Sequence, residues 1–299
     1  MDYGIKGKVA IVTGTNRKGA MGEAIATTLA REGAIIACVD IVLPGAEEVA
    51  RSINEIGGKA VAYKCDQAEY EQVKATVARI KNELGMPEIL VNNAAILRGG
   101  GRIQVTTVED WKNLLKIDLD GPWYWIRETW DMMVEKKFGR IVNISSIAGT
   151  HGGFGQANYS AAKAALIALA KTAALEGARA GITANAVTIG VVDSHSGSMG
   201  PLPPGGGAPG QRPPGPPPQG APGQRPPGPP PQGAPGQPPR PQGEGAGGMM
   251  ERITAKVAMR HQGEPVDVAN AVAYFCSAGA KYITGQDLHV MGGLDLFTY

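Results

Sequence analysis

Lys8-Val9-Ala10-Ile11-Val12-Thr13-Gly14-Thr15-Asn16-Arg17-Lys18-Gly19-Ala20-Met21-Gly22 is the stretch whose reading decides the fold. Val9–Val12 is a short apolar, β-branched run, the composition of a strand buried on both faces. Gly14, Gly19 and Gly22 then interrupt the apolar pattern. From Glu23 to Arg31 it resumes with helical spacing at Ala24, Ile25, Leu29 and Ala30. In a strand, glycine turn and helix, the backbone can approach a pyrophosphate, and the helix N-terminus offers free N–H groups and a positive dipole. A second apolar strand, Ala34 to Val39, ends in Asp40, where a carboxylate can accept hydrogen bonds from ribose hydroxyls. A glycine turn alone is common. With strand, helix and acid all in place it predicts a dinucleotide site, with Gly14, Asn16, Gly19, Met21, Gly22 and Asp40 as candidate contacts.

Working outward, helical periodicity recurs in Glu47–Ile56, Glu69–Leu84, Val108–Lys116 and Trp123–Lys136. Strands are predicted at Ala60–Lys64, Ile89–Val91, Arg140–Ile144, Thr183–Val187 and Leu288–Val290. Alternation of strand and helix predicts an α/β fold: one Rossmann-type, doubly wound parallel sheet with helices on both faces and right-handed crossovers.

Further along, Tyr159 and Lys163 stand four apart in Asn158-Tyr159-Ser160-Ala161-Ala162-Lys163, and Ser146 lies thirteen residues before the tyrosine. On a helix that spacing puts both side chains on one face. An ammonium beside a phenol favours phenolate and is expected to lower its pKa, as suits a general acid–base. A serine hydroxyl at a strand end can bind the same substrate oxygen. Taken alone the triplet is weak, because a lysine stem packed on a tyrosine is common in helices. The nucleotide-binding start of the chain gives it weight.

These residues together resemble the short-chain dehydrogenase/reductase family, in the compact form typified by 3-oxoacyl-carrier-protein reductases. Thr13-Gly14 through Gly22 is similar to the family's cofactor turn. Cys65-Asp66 resembles the strand end whose Asp66 meets adenine. Val91-Asn92-Asn93-Ala94-Ala95 resembles the Asn-Asn-Ala-Gly segment and adds Asn93 to the cofactor contacts. Gly139 through Ser146 resembles the strand bearing the catalytic serine, which Ile147-Ala148-Gly149 aligns with Ser146 rather than Ser145. Tyr159 and Lys163 match the family's tyrosine and lysine. Thr284-Gly285-Gln286 and Gly292-Gly293 resemble its C-terminal signature. The resemblance spans nearly everything outside residues 200–248. It implies hydride transfer between a nicotinamide cofactor and a secondary alcohol or ketone. In the alcohol-oxidising direction Tyr159 takes the hydroxyl proton, Ser146 orients the oxygen, and Lys163 tunes the tyrosine and holds the nicotinamide ribose. Val192 and Ser194 are further implied cofactor contacts. A homodimer or homotetramer is implied too, through the apolar helix Ala161–Leu175, which is expected to be buried on several sides.

Four positions depart from the family pattern. The cofactor turn is two residues longer between Gly14 and Gly22, Ala95 replaces a glycine, and Ile189 replaces a proline before Gly190. Asp118 stands where the family has its catalytic asparagine. It is nearly isosteric, so the helix bend of that site can survive, while its charge is expected to pair with Lys163 through water and raise that lysine's pKa. Asp40 favours NAD, since it would repel a ribose 2′-phosphate. Arg17 and Lys18 keep NADP open as the alternative.

With 29 Lys+Arg against 27 Asp+Glu the net charge is +2, so no basic field for nucleic acid exists. Cys38, Cys65 and Cys276 have no paired spacing and read as buried thiols of a reducing compartment, neither a disulfide framework nor a metal site. Met1 to Lys6 lacks an apolar run, and Ala161–Leu175 is interrupted by Lys163 and Lys171. Neither a secretory signal nor a membrane span is expected, which makes the protein cytoplasmic.

Residues 200–248 are a different material, holding 19 of the 23 prolines. Gly-Ala-Pro-Gly-Gln-Arg-Pro-Pro-Gly-Pro-Pro-Pro-Gln occurs at 207–219 and again, identically, at 220–232. Such a sequence cannot bury a core and favours extended polyproline II. It reads as a disordered insert in the substrate lid of a single catalytic domain made of 1–199 and 249–299. Arg212-Pro213-Pro214 or Pro216-Pro217-Pro218 could engage a proline-recognising domain. Duplication without change favours instead a tolerated repeat expansion or an engineered insertion. Two rival functions stay open: a nucleotide-binding scaffold weakened by Asp118, and an interaction module working through the repeats.

Overall fold

A computed structural model describes residues 3–96, 101–193, 252 and 254–296 of the protein. Seven strands form one sheet: β1 (Val9–Thr13), β2 (Ile35–Asp40), β3 (Lys59–Lys64), β4 (Pro87–Asn92), β5 (Gly139–Ser146), β6 (Ile182–Ile189) and β7 (Asp287–Val290). Their order is β3-β2-β1-β4-β5-β6-β7, and every neighbouring pair is parallel. All seven predicted strands are present. The order reverses between β1 and β4, so a crevice opens at their C-terminal ends, where such sheets bind ligands.

The core is two apolar layers, one on each face, and strand alternation sorts residues between them. Ala10 and Val12 of β1 face α1 (Met21–Arg31), α2 (Leu43–Glu55) and α8 (Pro265–Cys276), with Ile25, Leu29, Ile53 and Val272 completing that layer. Val9 and Ile11 face the other way, onto α3 (Tyr70–Leu84), α5 (Gly121–Lys136) and α7 (Ala157–Gly177), among Val77, Ile80, Trp125 and Ala173. Ile25 and Leu29 are fully buried, worth about 1.5–3 kcal/mol each.

Two helices escaped the sequence reading. The five-residue α6 (Ile147–His151) is too short to show a period. Helix α8 had a readable start: Pro265 sits in its first turn, and Glu264 and Asp267 form a capping box. Helix α7 shows what a single chain covers. Asn158, Ala162, Lys163, Leu166, Ala170, Ala173, Ala174 and Gly177 make a single buried stripe, while Leu175 is 83 % exposed. Within one chain the helix is buried on one side. Among the described residues no helix is long and apolar enough to cross a membrane. The stretch 200–248, and with it the lid insert, lies outside the described residues.

Candidate active site

The glycine turn lies where its sequence suggested, and two glycines explain its shape. Gly14 has φ +77°, and a Cβ there would stand 2.8 Å from Ala94 Cα and from Asn93 Nδ2. A Cβ on Gly22 would stand 2.0 Å from the Gly14 carbonyl oxygen, so only glycine lets α1 begin this close to β1. The turn is stitched to the exit of β4. Thr13 Oγ1 accepts from the Asn93 and Ala94 amides, both at 3.0 Å. Asn93 Nδ2 donates to the carbonyls of Thr13 at 2.8 Å and Gly14 at 3.2 Å. Asn93 Oδ1 is buried without a hydrogen-bond partner.

Ala20 occupies the N-cap of α1 and Met21 its first turn, with no side chain capping from the N-cap position. The Gly19 amide donates to Glu23 Oε2 at 3.1 Å. Asp40 closes β2 and is 8 % exposed. Its Oδ1 accepts from the Val42 amide at 2.9 Å, and the Asn16 side chain bonds it from the turn. Burial still pushes this carboxyl above its ordinary range. Asp66 Oδ1 accepts from the Ala68 amide at 2.9 Å. Val192 pairs with Gly263, which brings together the chain on either side of residues 194–251. Ser194 is outside the described residues.

On the far side of the crevice, Ser146 ends β5 and caps α6, its Oγ accepting from the Ala148 amide at 3.2 Å. The same hydroxyl is near enough to the Tyr159 phenol to favour its ionised form. Ser145 points the other way and donates to the Lys163 carbonyl at 2.8 Å. Asn143 Nδ2 does likewise to the Leu166 carbonyl at 3.1 Å. Alternation along β5 thus gives Asn143 and Ser145 the task of pinning α7, and leaves Ser146 facing the tyrosine.

Lys163 is 3 % exposed, and its Nζ donates to the Ile144 carbonyl at 3.2 Å. It stands 5.5 Å from the Tyr159 ring centroid and 3.8 Å from Asp118 Oδ2. At 3.8 Å the latter contact is an ion pair, too long for a hydrogen bond. It leaves Oδ2 with no donor. Asp118 Oδ1 accepts from the Ile96 amide at 2.9 Å. Asp118 itself sits in a π-helical turn, Lys116–Asp120, between α4 (Val108–Leu115) and α5, and is fully buried.

The electrostatics correct one expectation. Tyr159 is pushed up to about 12, first by burial, against the Ser146 hydrogen bond and with help from the Asp118 charge. The ammonium therefore does not leave this phenol acidic. Lys163 is held below its ordinary value, because burial outweighs the opposing pull of Asp118. Burial likewise raises Asp118, with Lys163 opposing. Cys38, Cys65 and Cys276 are buried free thiols. Among the described residues no group of three or more His, Cys, Asp or Glu could hold a metal.

The sequence model of a family described as short chain dehydrogenase matches residues 8–199, nearly two-thirds of the chain, and that of an enoyl-(acyl carrier protein) reductase family matches 239–295. The chain belongs to the short-chain dehydrogenase family. Among curated relatives, the chain is similar to the 3-oxoacyl-[acyl-carrier-protein] reductase FabG of Staphylococcus aureus strain Mu50, with 30 % identity over 96 % of this chain and 98 % of that protein. The FabG of Haemophilus influenzae is 30 % identical over 98 % of this chain and all of its own length. Nodulation protein G of Rhizobium sp. strain N33 is 30 % identical over 98 % of both. Membership makes the chain an oxidoreductase that uses a nicotinamide cofactor.

The crevice fits such a cofactor by its own chemistry. The start of α1 offers backbone N–H groups, Gly14 and Gly22 keep the turn thin, Asp40 waits at the end of β2, and Asn93 carries an unpartnered oxygen.

Proposed function

We propose that the protein reduces a ketone to a secondary alcohol, with Tyr159 as general acid. The observation that carries this is the Ser146–Tyr159–Lys163 cluster, in which Lys163 Nζ stands 5.5 Å from the Tyr159 ring and Ser146 acts on the phenol that burial raises. A tyrosine raised by burial is protonated at neutral pH and can give its proton to a ketone oxygen as hydride arrives. The alcohol-oxidising direction is the same step run backwards, with Tyr159 as the phenolate that takes the proton. A bound nicotinamide cofactor supplies the hydride. Ser146 Oγ holds the substrate oxygen beside the phenol. Lys163 holds positive charge beneath Tyr159, which stabilises the phenolate as the proton leaves. Asp118 keeps that ammonium charged in a buried place where it would otherwise lose its proton.

Gly14, Asn16, Gly19, Met21, Gly22, Asp40, Asp66, Asn93, Val192 and Ser194, together with Tyr159 and Lys163, are the residues proposed to hold the cofactor. NAD is preferred, on the ground that the Asp40 carboxylate would repel a 2′-phosphate. The 3-oxoacyl-carrier-protein reductases among the relatives suggest 3-oxoacyl thioesters as the first ketones to try. The exposed side of α7, with Leu175, supports assembly into a homodimer or homotetramer in the cytoplasm. Residues 200–248 are proposed to be an insert that the chemistry does not need.

The experiment is a spectrophotometric assay of reduced-cofactor consumption, run with both cofactors on simple ketones and 3-oxoacyl thioesters. Turnover in wild type and its loss in Tyr159→Phe supports the reading. A purified, cofactor-binding protein that consumes neither cofactor with any of these ketones overturns it.

A further inference from the structure

Gln67 follows the end of β3 by three residues and is 7 % exposed. Its Nε2 donates to the Ile117 carbonyl at 2.9 Å and to the Ala94 carbonyl at 3.2 Å. A carboxamide nitrogen has two hydrogens, and both are spent here. One goes to the wide turn that carries Asp118, the other to the strand leaving β4.

The turn creates the need for this donor. The Gly121 amide donates to the Lys116 carbonyl, five residues back. An α-helical pattern would have directed that amide to Ile117. The following residue is Pro122, which has no N–H to offer. Ile117 is therefore left with a carbonyl that its own helix cannot satisfy, in a half-buried place, where an unmet acceptor is costly. Gln67 supplies the donor. Gly121 makes room for it: a Cβ there would stand 2.8 Å from Gln67 Cγ. The next residue, Asp118, ties back to the same strand by accepting from the Ile96 amide. Three hydrogen bonds, two through Gln67 and one from the Ile96 amide to Asp118, thus fix the turn against the chain leaving β4, and Asp118 Oδ2 is delivered beside Lys163 Nζ.

We infer that Gln67 is a positioning residue that sets the distance between Asp118 and Lys163. Its effect on rate rests on the proposed ketone reduction, whereas the geometric part does not. Gln67→Met keeps most of the volume and removes the donor. Without the tie the turn is free to relax, Asp118 withdraws, and Lys163 loses part of the charge that opposes its deprotonation.

The test is a titration of full-length protein uniformly carrying lysine labelled with ¹³C at Cε, followed by NMR, with the Lys163 signal assigned by its absence in Lys163→Met. Lys163 is expected to titrate at lower pH in Q67M than in wild type, in the direction of Asp118→Ala, and Q67M is expected to add nothing to D118A. Gly121→Ala, which keeps the glutamine but crowds it off the turn, is expected to act in the same direction and serves if Q67M does not fold. In the ketone assay kcat should fall about tenfold, the effect of roughly one buried hydrogen bond, with KM little changed. A Lys163 titration that is the same in these variants as in wild type overturns the inference. So does a Q67M shift that persists undiminished in D118A, since Gln67 would then act by another route. If the wild type reduces no ketone while the Lys163 signal moves as expected, the proposed function fails and the positioning role stands.

Discussion

Asp118 Oδ2 and Lys163 Nζ are 3.8 Å apart, with both side chains out of water. Neither can be altered without leaving the other a buried and uncompensated charge. Asparagine at 118 would keep the amide contact to Ile96 and lose the charge. Asp118→Asn is therefore expected to lower stability by an amount on the order of 3 kcal/mol, less whatever Lys163 recovers by going neutral. The Asp118 charge raises both Lys163 and Tyr159. Removing it lets both deprotonate at lower pH, so the alkaline limb of kcat/KM for ketone reduction moves toward neutrality. A pH–rate profile in which that limb stays in place, or moves up, contradicts this assignment of charge.

Tyr159→Phe keeps the ring and removes the group proposed to transfer the proton. Turnover should fall by about 10²–10⁴-fold, the usual worth of a positioned general acid. Cofactor affinity, followed by fluorescence titration, should stay near the wild-type value. Retention of more than about a tenth of kcat is incompatible with the role.

Asp40→Ala tests cofactor choice. Asp40 binds the Val42 amide and the Asn16 side chain while closing β2. Loss of its charge should raise the ratio of kcat/KM for NADPH to that for NADH by about tenfold or more, since a like-charge repulsion is relieved. A wild type that already prefers NADPH would show that Arg17 and Lys18 dominate the turn.

His289 links β7 to the C-terminal turn. Its Nδ1 is 2.5 Å from Asp295 Oδ2, and its Nε2 is 3.3 Å from Asp287 Oδ2. The turn in turn holds the chain after the insert, through the Met259 amide on the Gly292 carbonyl at 3.1 Å. The Asp295 hydrogen bond raises His289 above its ordinary 6.5, and His289 lowers Asp295 below 3.8. A raised histidine stabilises the fold fully below its unfolded value and loses that contribution as pH rises through the folded one. A lowered carboxyl stabilises above its unfolded value and loses the contribution as pH falls. The pair therefore contributes most between the two, near pH 5–6. The Tm difference between wild type and Asp295→Asn should be largest there and shrink toward pH 9. A difference that is flat with pH would mean that the ionised pair contributes nothing.

Much of this arrangement was legible because a single local signal fixed each piece. Val9–Val12 with Gly14 and Gly22 requires a strand meeting a helix at a thin turn, and no tertiary partner is needed to read it. Ser146, Tyr159 and Lys163 could be named because alternation on β5 and helical spacing on α7 each follow a fixed period. Gln67 could not be named, because its role depends on a carbonyl fifty residues away that is orphaned by the combination of a wide turn and Pro122. The direction of the Tyr159 shift was misread for a related reason. Spacing places a lysine beside a tyrosine, but says nothing of how much chain will cover both.

The last prediction concerns residues 200–248. The described chain is joined across them: the Asp193 amide donates to the Gly263 carbonyl at 2.8 Å, and the Gly263 amide to the Val191 carbonyl at 3.0 Å. Deleting Pro201–Gly247 removes a sequence whose prolines and glycines cannot form a core. Closing a loop costs free energy that grows only with the logarithm of its length, so shortening it returns about 1 kcal/mol or less. The deletion should therefore fold, keep its oligomeric state, and melt within a few degrees of the full chain. Turnover should persist or rise, since closure of a lid over a substrate depends on short, ordered connections. Calorimetry and the ketone assay on the two proteins decide it. A melting temperature lowered by ten degrees or so would mean that the repeats pack on the body of the enzyme and belong to its fold, at roughly 2–4 °C for each kcal/mol in a domain of this size.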